Sequence, residues 1–327
     1  MAEMRHSVVL FLLVVCVCVM PVPKGALGQD GLRVITEAND ISICVGKDVL
    51  MRYRYGDVPF KPYVQQLFTP SGVNVLRDAP ADHLHHHALM FAVAVDGVNF
   101  WEEQQAPGRQ THRAFADMNI DRRDGVPVGV FTEQINWVYP PDVRRVNPRS
   151  KELLMKESRT VEVCRLAEPV VTILTWESKL EVPAGKEFVT LTGSPYFGLG
   201  MRFLQSMDTG GQFRNAEGKT GVQETNDKQA VWCAYSAGAD GKPVTIAMFD
   251  HPDNERHPAT WFTMDEPFAY LSATLGLHKE ALKIVSGKPL VARYGVAVWD
   301  GQVQPEQIDK LYKRWVSWSG KADDKLK

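Results

Sequence analysis

The feature that most constrains this chain is a succession of segments with strand chemistry. They read GLRVITEANDISICV, DVLMRYRYG, ALMFAVAVDGVNFW, PVGVFTEQINWVY, RTVEVCRL, PVVTILTWESKLEV, FVTLTG, KPVTIAMFD and ARYGVAVWD. β-branched and aromatic residues recur in each, and Gly, Pro, Asn or Asp fill the gaps between them. One stretch carries a helical stripe instead. In QPEQIDKLYKRWVSW, Ile308, Leu311, Tyr312, Trp315 and Trp318 share one face, with Pro305 in the first turn. The expected fold is therefore all-β and mainly antiparallel: a large two-sheet β-sandwich, or supersandwich, with a short C-terminal helix over about residues 304–318. No repeat, low-complexity block or linker interrupts it, so residues 29–327 read as a single β-sandwich domain. The polar stretch from Gly210 to Gln229 is long for a connection in a compact domain and is expected to form a binding lid or rim.

The first 28 residues read as a signal peptide. Arg5 and His6 precede the apolar run Val8 to Met20, the helix-breaking PVPKGALG follows, and Ala26 and Gly28 supply small residues before a cut at Gln29. The run is short beside the about 20 apolar residues of a membrane span, and no later stretch approaches that length. Neither Cys16 nor Cys18 has a small residue directly before it, which argues against a lipoprotein cut. An exported protein, periplasmic or extracellular, with no membrane span after signal removal is expected. The net charge of −2 offers no footprint for nucleic acid. Cys44, Cys164 and Cys233 form an odd, widely spaced set and read as small buried residues rather than as a disulfide framework.

Four of the nine histidines crowd into DHLHHHALM: His83, His85, His86 and His87. On an extended strand His83, His85 and His87 would face one way and His86 the other. A His-x-His pair can converge on one ion if another ligand joins it. MFDHPDNERHPATW supplies Asp250, His251 and His257. A site of His83, His85 and His251 would suit a divalent metal such as zinc, with an open position for water. Without a metal, the same histidines could work as acid and base opposite a carboxylate, with Glu102, Glu103, Glu217 and Asp250 available. The plainest alternative is that they satisfy backbone groups at the start of a strand.

Other residues suit ligand binding. Trp101 offers a flat apolar face beside Glu102, a common way to hold a sugar by stacking and hydrogen bonds; burial in the core is the competing reading. Arg202 follows the glycines of GLGMRF, where backbones pack closely and a guanidinium can reach a carboxylate or hydroxyl. Asn215 and Glu217 lie in the polar stretch, and Trp261 follows His257.

The order of PYVQQLFTPSGVNVLRDAPADHLHHHALMFAVAVDGVNFWEE, YFGLGMRF, RNAEG and MFDHPDNERHPATWF resembles the PmoA-like family, commonly labelled "methane oxygenase PmoA", over roughly Val49 to Asp300. Its first block runs Asp-His-Pro-His-His-Arg-Gly. Asp82, His83, His85 and His86 match it, while Leu84, His87 and Ala88 depart. Asp250, His251, Pro252, Asn254, His257 and Trp261 match the second block. Methane oxidation by a membrane subunit would need several apolar spans, which this chain lacks, so the chain is not expected to be a methane monooxygenase. At the level of fold it is similar to the galactose mutarotase-like supersandwich, whose concave face binds sugars. The resemblances imply a carbohydrate-acting hydrolase, lyase or isomerase with His83, His85, His86, Asp250, His251 and His257 as catalytic residues. Trp101, Glu102, Arg202, Asn215, Glu217 and Trp261 would hold the substrate. The alternative is a non-catalytic carbohydrate-binding protein of the cell envelope.

Overall fold

The computed structural model describes residues 26–27, 31–139 and 152–319. The proposed signal peptide falls almost wholly outside them. Every described strand pairing is antiparallel, in three sheets. A ten-stranded sheet runs in the order Ala26–Leu27, Leu32–Thr36, Asp40–Val45, Asp48–Arg54, Tyr63–Leu67, Leu89–Ala92, Gly198–Arg202, Tyr270–Thr274, Thr260–Met264, Lys228–Gln229. An eight-stranded sheet runs Gln212–Asn215, Trp232–Ala239, Lys242–Asp250, Leu290–Asp300, Val170–Glu181, Leu153–Ala167, Val126–Val138, Arg109–Arg123. A four-stranded sheet of Leu282–Val285, Phe188–Thr192, Ala94–Val95 and Val98–Asn99 adds to the two that the sequence implies.

The two large sheets bury their facing sides against one another. Alternate residues of Val170–Glu181 show why: Leu174 and Trp176 join the core between the sheets, whereas Val171 and Ile173 join a second apolar cluster on the outer side. Tyr53 of the larger sheet meets Phe131 of the smaller with ring centroids 4.9 Å apart. The guanidinium of Arg159, buried in this core, is fully paired. Arg159 donates to both oxygens of Glu157 (2.8 and 2.9 Å), to the Tyr53 hydroxyl (3.0 Å), to Gln110 (2.9 Å) and to the Pro62 carbonyl (2.9 Å). Such pairing is what makes a buried guanidinium tolerable.

The helix Pro305–Ser319 covers the outer side of the eight-stranded sheet, and its stripe of Ile308, Leu311, Tyr312, Trp315 and Trp318 is buried as its spacing implies. Cys44, Cys164 and Cys233 are buried free thiols. The stretch from Gly210 to Gln229 is not a lid. It holds the strand Gln212–Asn215, the short helix Val222–Thr225 and the strand Lys228–Gln229. The Thr225 and Thr263 hydroxyls lie 2.8 Å apart and tie it to the larger sheet.

Candidate functional site

The histidine block is a compact turn, not the strand that its alternate spacing suggests. Asp78 and His87 bridge its ends. The Ala79 N–H donates to the His86 carbonyl, the His83 N–H to the Pro80 carbonyl and the His86 N–H to the His83 carbonyl, each at 2.9 Å. Ala79 and Ala88 take φ values of 41° and 45° and reverse the chain at both ends. Ala88 holds a conformation that Gly adopts without steric cost but other residues rarely do. The turn therefore gathers His83, His85 and His86, with ring centroids 4.7 to 5.7 Å apart. His87 takes other partners: it stacks on Tyr63 and bonds Asp78 (3.2 Å) and Glu103 (2.9 Å). Glu103 in turn holds the buried Lys61 ammonium at 2.5 Å.

The three gathered histidines open on a cleft of about 440 Å³. Trp101, Tyr196, Phe262, Phe268 and Tyr270 make its aromatic wall, with Glu102, Gln104, Met264 and Pro267 completing it. The register explains the floor. Phe262 and Met264 stand opposite Ser272 and Tyr270, and Arg202 stands opposite Tyr270, so these residues share one face of the ten-stranded sheet. That face is the outer one, since the opposite face, with Met201 and in step with it Phe203, meets the eight-stranded sheet, where Phe203 stacks on Tyr235 at 4.9 Å between ring centroids. The Asn99 side-chain oxygen accepts the backbone N–H groups of Trp101 (2.8 Å) and Glu102 (3.0 Å) and so fixes the loop that carries both. Glu102 accepts the Tyr196 hydroxyl at 2.6 Å and the Asn99 amide at 3.2 Å.

Burial sets the charge of this cleft. It drives His86 down to about 2, with His85, His83 and Arg202 adding to the effect. Burial likewise lowers His85, and the nearby His83 and Lys61 reinforce it against Glu103 and Glu102. Both imidazoles are thus neutral at pH 7. Burial and the bond to Glu102 push Tyr196 up to about 12, so its phenol stays protonated and donates. Behind the wall, Arg202 stacks on Phe268 with the guanidinium carbon 3.4 Å from the ring centroid. Asp82 and Asp208 stand 3.6 and 3.9 Å from its Nη2. Burial lowers Arg202 despite them. Tyr270 leans over Gly200, where a Cβ would fall 2.1 Å from the phenol oxygen.

Of the residues singled out in the sequence, His83, His85, His86, Trp101 and Glu102 line the cleft. Arg202 sits against its Phe268 wall. The second histidine block does not join them. Asp250 is a loop anchor: it accepts the Asn254 amide (2.7 Å), His257 Nδ1 (2.7 Å) and the Ala259 N–H (2.8 Å). His251 lies edge-on to Trp315, under the helix on the far side of the eight-stranded sheet. The trio of His83, His85 and His251 is therefore not assembled. Among the described residues no group of three or more His, Cys, Asp or Glu side chains is arranged to hold a metal ion. Asn215 is buried and ties a turn by accepting the N–H groups of Glu217 and Lys219, while Glu217 is exposed there. Trp261 is wholly buried on the core face, its indole donating to the Ala230 carbonyl at 2.8 Å. Sequence reasoning missed Phe268 and Tyr270. Tyr270 lies in YLSAT, a strand buried on both faces that shows no period.

Residues 40–313 match a family model described as "Family of unknown function (DUF6807)". That description gives no support to the PmoA-like label that the block order suggests. No curated protein matches the chain. Among solved structures it is similar to the alpha-galactosidase from Lactobacillus brevis, at a TM-score of 0.46 and 5% identity over 88% of this chain and 42% of that one. It is also similar to the galactosidase domain of an alpha-galactosidase–sucrose kinase, at a TM-score of 0.41 and 8% identity over 85% of this chain and 42% of that one. The chain thus spans less than half the length of either.

Proposed function

For this chain, which belongs to the DUF6807 family of unknown function, we propose a carbohydrate-acting enzyme whose site is the cleft under the histidine turn. The observation that carries the reading is the combination in one cleft of an aromatic wall, a neutral histidine and a carboxylate held in place. Aromatic faces cover the apolar faces of a sugar ring, and the polar groups between them meet its hydroxyls. A volume of about 440 Å³ suits a small sugar unit.

His85 and Glu102 carry the proton transfers. His85 is neutral at pH 7 and can accept a proton from a sugar hydroxyl, a ring C–H or a water. Glu102 stands close enough for its charge to act on His85, and Tyr196 and Asn99 fix its orientation. Hydrolysis, elimination and epimerisation must each also return a proton to the departing or receiving atom, and the imidazolium formed at His85, or the protonated Tyr196 phenol beside Glu102, can supply it. The test is turnover of a glycoside panel, followed by chromatography of products, with His85→Ala and Glu102→Gln beside the unmodified protein. Each substitution is expected to slow turnover by about 10²- to 10⁴-fold. Sugar binding without turnover, unchanged in both variants, would make the cleft a binding site with no chemistry. Neither binding nor turnover by the unmodified protein would end the reading.

A further inference from the structure

The deep side of the cleft carries more buried polar atoms than the protein satisfies. Arg202, Tyr270, Trp101 and His86 are exposed by only 1, 2, 2 and 5%. Even so, Nε and Nη1 of Arg202, the Tyr270 hydroxyl, Trp101 Nε1 and His86 Nδ1 have no hydrogen-bond partner. The remaining guanidinium nitrogen of Arg202, Nη2, meets Asp82 and Asp208 only at 3.6 and 3.9 Å, beyond hydrogen-bond range. The contrast with Arg159 is direct: that buried guanidinium is bonded through every nitrogen.

The four groups are neighbours: Arg202 stands behind Phe268 rather than lining the cleft, and its charge acts on both His86 and Tyr270. The His86 ring lies 5.2 Å from Trp101, 5.1 Å from Tyr270 and 5.4 Å from Phe268, on which Arg202 stacks. Resting on the carbohydrate reading above, we infer that this deep side receives a carboxylate, so that the sugar held here is a sugar acid. The chemistry of the donors decides between ligand groups. Indole and guanidinium N–H groups only donate. A sugar hydroxyl could meet the Tyr270 hydroxyl or the neutral His86, which can each donate or accept. It would, however, bring a further proton to Arg202 and Trp101, whose unpartnered nitrogens only donate. A carboxylate brings acceptors alone, together with the negative charge that the buried Arg202 lacks at hydrogen-bonding distance. Stacking on Phe268 gives the guanidinium some compensation but leaves its N–H groups unbonded.

The test begins with the unmodified full chain, titrated calorimetrically at pH 7. The probes are D-glucuronate and D-galacturonate, their methyl esters, and D-glucose and D-galactose. One acid at least is expected to bind about tenfold or more tightly than both its ester and its neutral parent. Tyr270→Phe, which keeps the ring, and Arg202→Gln should each bring the acid down to the affinity of the neutral sugar. Acids that bind no better than their neutral parents overturn the inference and leave the carbohydrate reading standing. So does a preference for the acid that survives both substitutions. If no sugar of either kind gives saturable binding, both readings fall. The comparison on the unmodified protein decides the matter even if a variant does not fold.

Discussion

A single hydrogen atom at Gly200 shapes the cleft floor. The Tyr270 ring occupies the space that a side chain would take, with the phenol oxygen 2.1 Å and the adjoining ring carbon 2.8 Å from a Cβ built there. Gly200→Ala must therefore push Tyr270 out of the wall, an overpacking change that costs about 1–3 kcal/mol. Thermal denaturation should show that loss, and ligand binding in the cleft should weaken with it. Gly238→Ala is the matched control, since it lies in a strand of the other large sheet with nothing within 4 Å of an added Cβ. Equal effects from the two substitutions would show that Gly200 is not a packing requirement. Part of this was legible in GLGMRF, where close-set glycines before Arg202 announced tight backbone packing. What occupies the space was not, because Tyr270 lies far along the chain and nothing near it in sequence points to the cleft.

Among the elements, the histidine turn is pulled in two directions by pH. His85 and His86 are lowered, chiefly by burial. Below about pH 6.5 the unfolded chain binds more protons at these sites than the folded one, so their contribution is present above that pH and is lost on acidification. His87 behaves oppositely. Burial opposes its charge, but the bonds to Asp78 and Glu103 win and raise it. Its contribution is complete below about pH 6.5 and disappears as the pH rises through the folded value. Chemical denaturation across pH 5 to 9 should find the stability falling away on both sides of about pH 6.5. His87→Gln is expected to flatten the alkaline side alone and His86→Gln the acid side alone. A profile that neither variant alters would show that the turn is not under this control.

The same turn marks the limit of pattern reading. Alternation predicts strands well where one face is buried and the other is not, as in Val126–Val138 and Leu153–Ala167. It has nothing to act on in Gly198–Arg202 and Tyr270–Thr274, which are buried throughout, or in Arg109–Arg123, an edge strand with few buried positions. In DHLHHH the period of two is a coincidence of composition. Two successive reversals, at Pro80–His83 and His83–His86, turn the chain there.

At the scale of the whole molecule, His251 of the second block belongs to a different layer from the histidine turn, although the same block runs on into Thr260–Met264, whose Phe262 lines the cleft. The cleft lies on the outer face of the ten-stranded sheet, and His251 lies with the helix on the outer face of the eight-stranded one. The core between the sheets separates them. Block order along the chain could not reveal this, because sequence order says nothing of which sheet a segment joins. The separation has a measurable consequence. Trp315 is wholly buried against Phe249 and His251, and its indole donates to the Thr175 hydroxyl at 2.9 Å. Trp315→Ala would leave a large cavity beneath the helix, at a cost of about 3–5 kcal/mol. The midpoint of denaturant unfolding should fall accordingly. Yet affinity and turnover in the cleft, measured well below that midpoint, should match those of the unmodified protein. A variant that keeps its fold but loses ligand affinity would mean that the helix side is coupled to the cleft, and the layers could no longer be treated as independent.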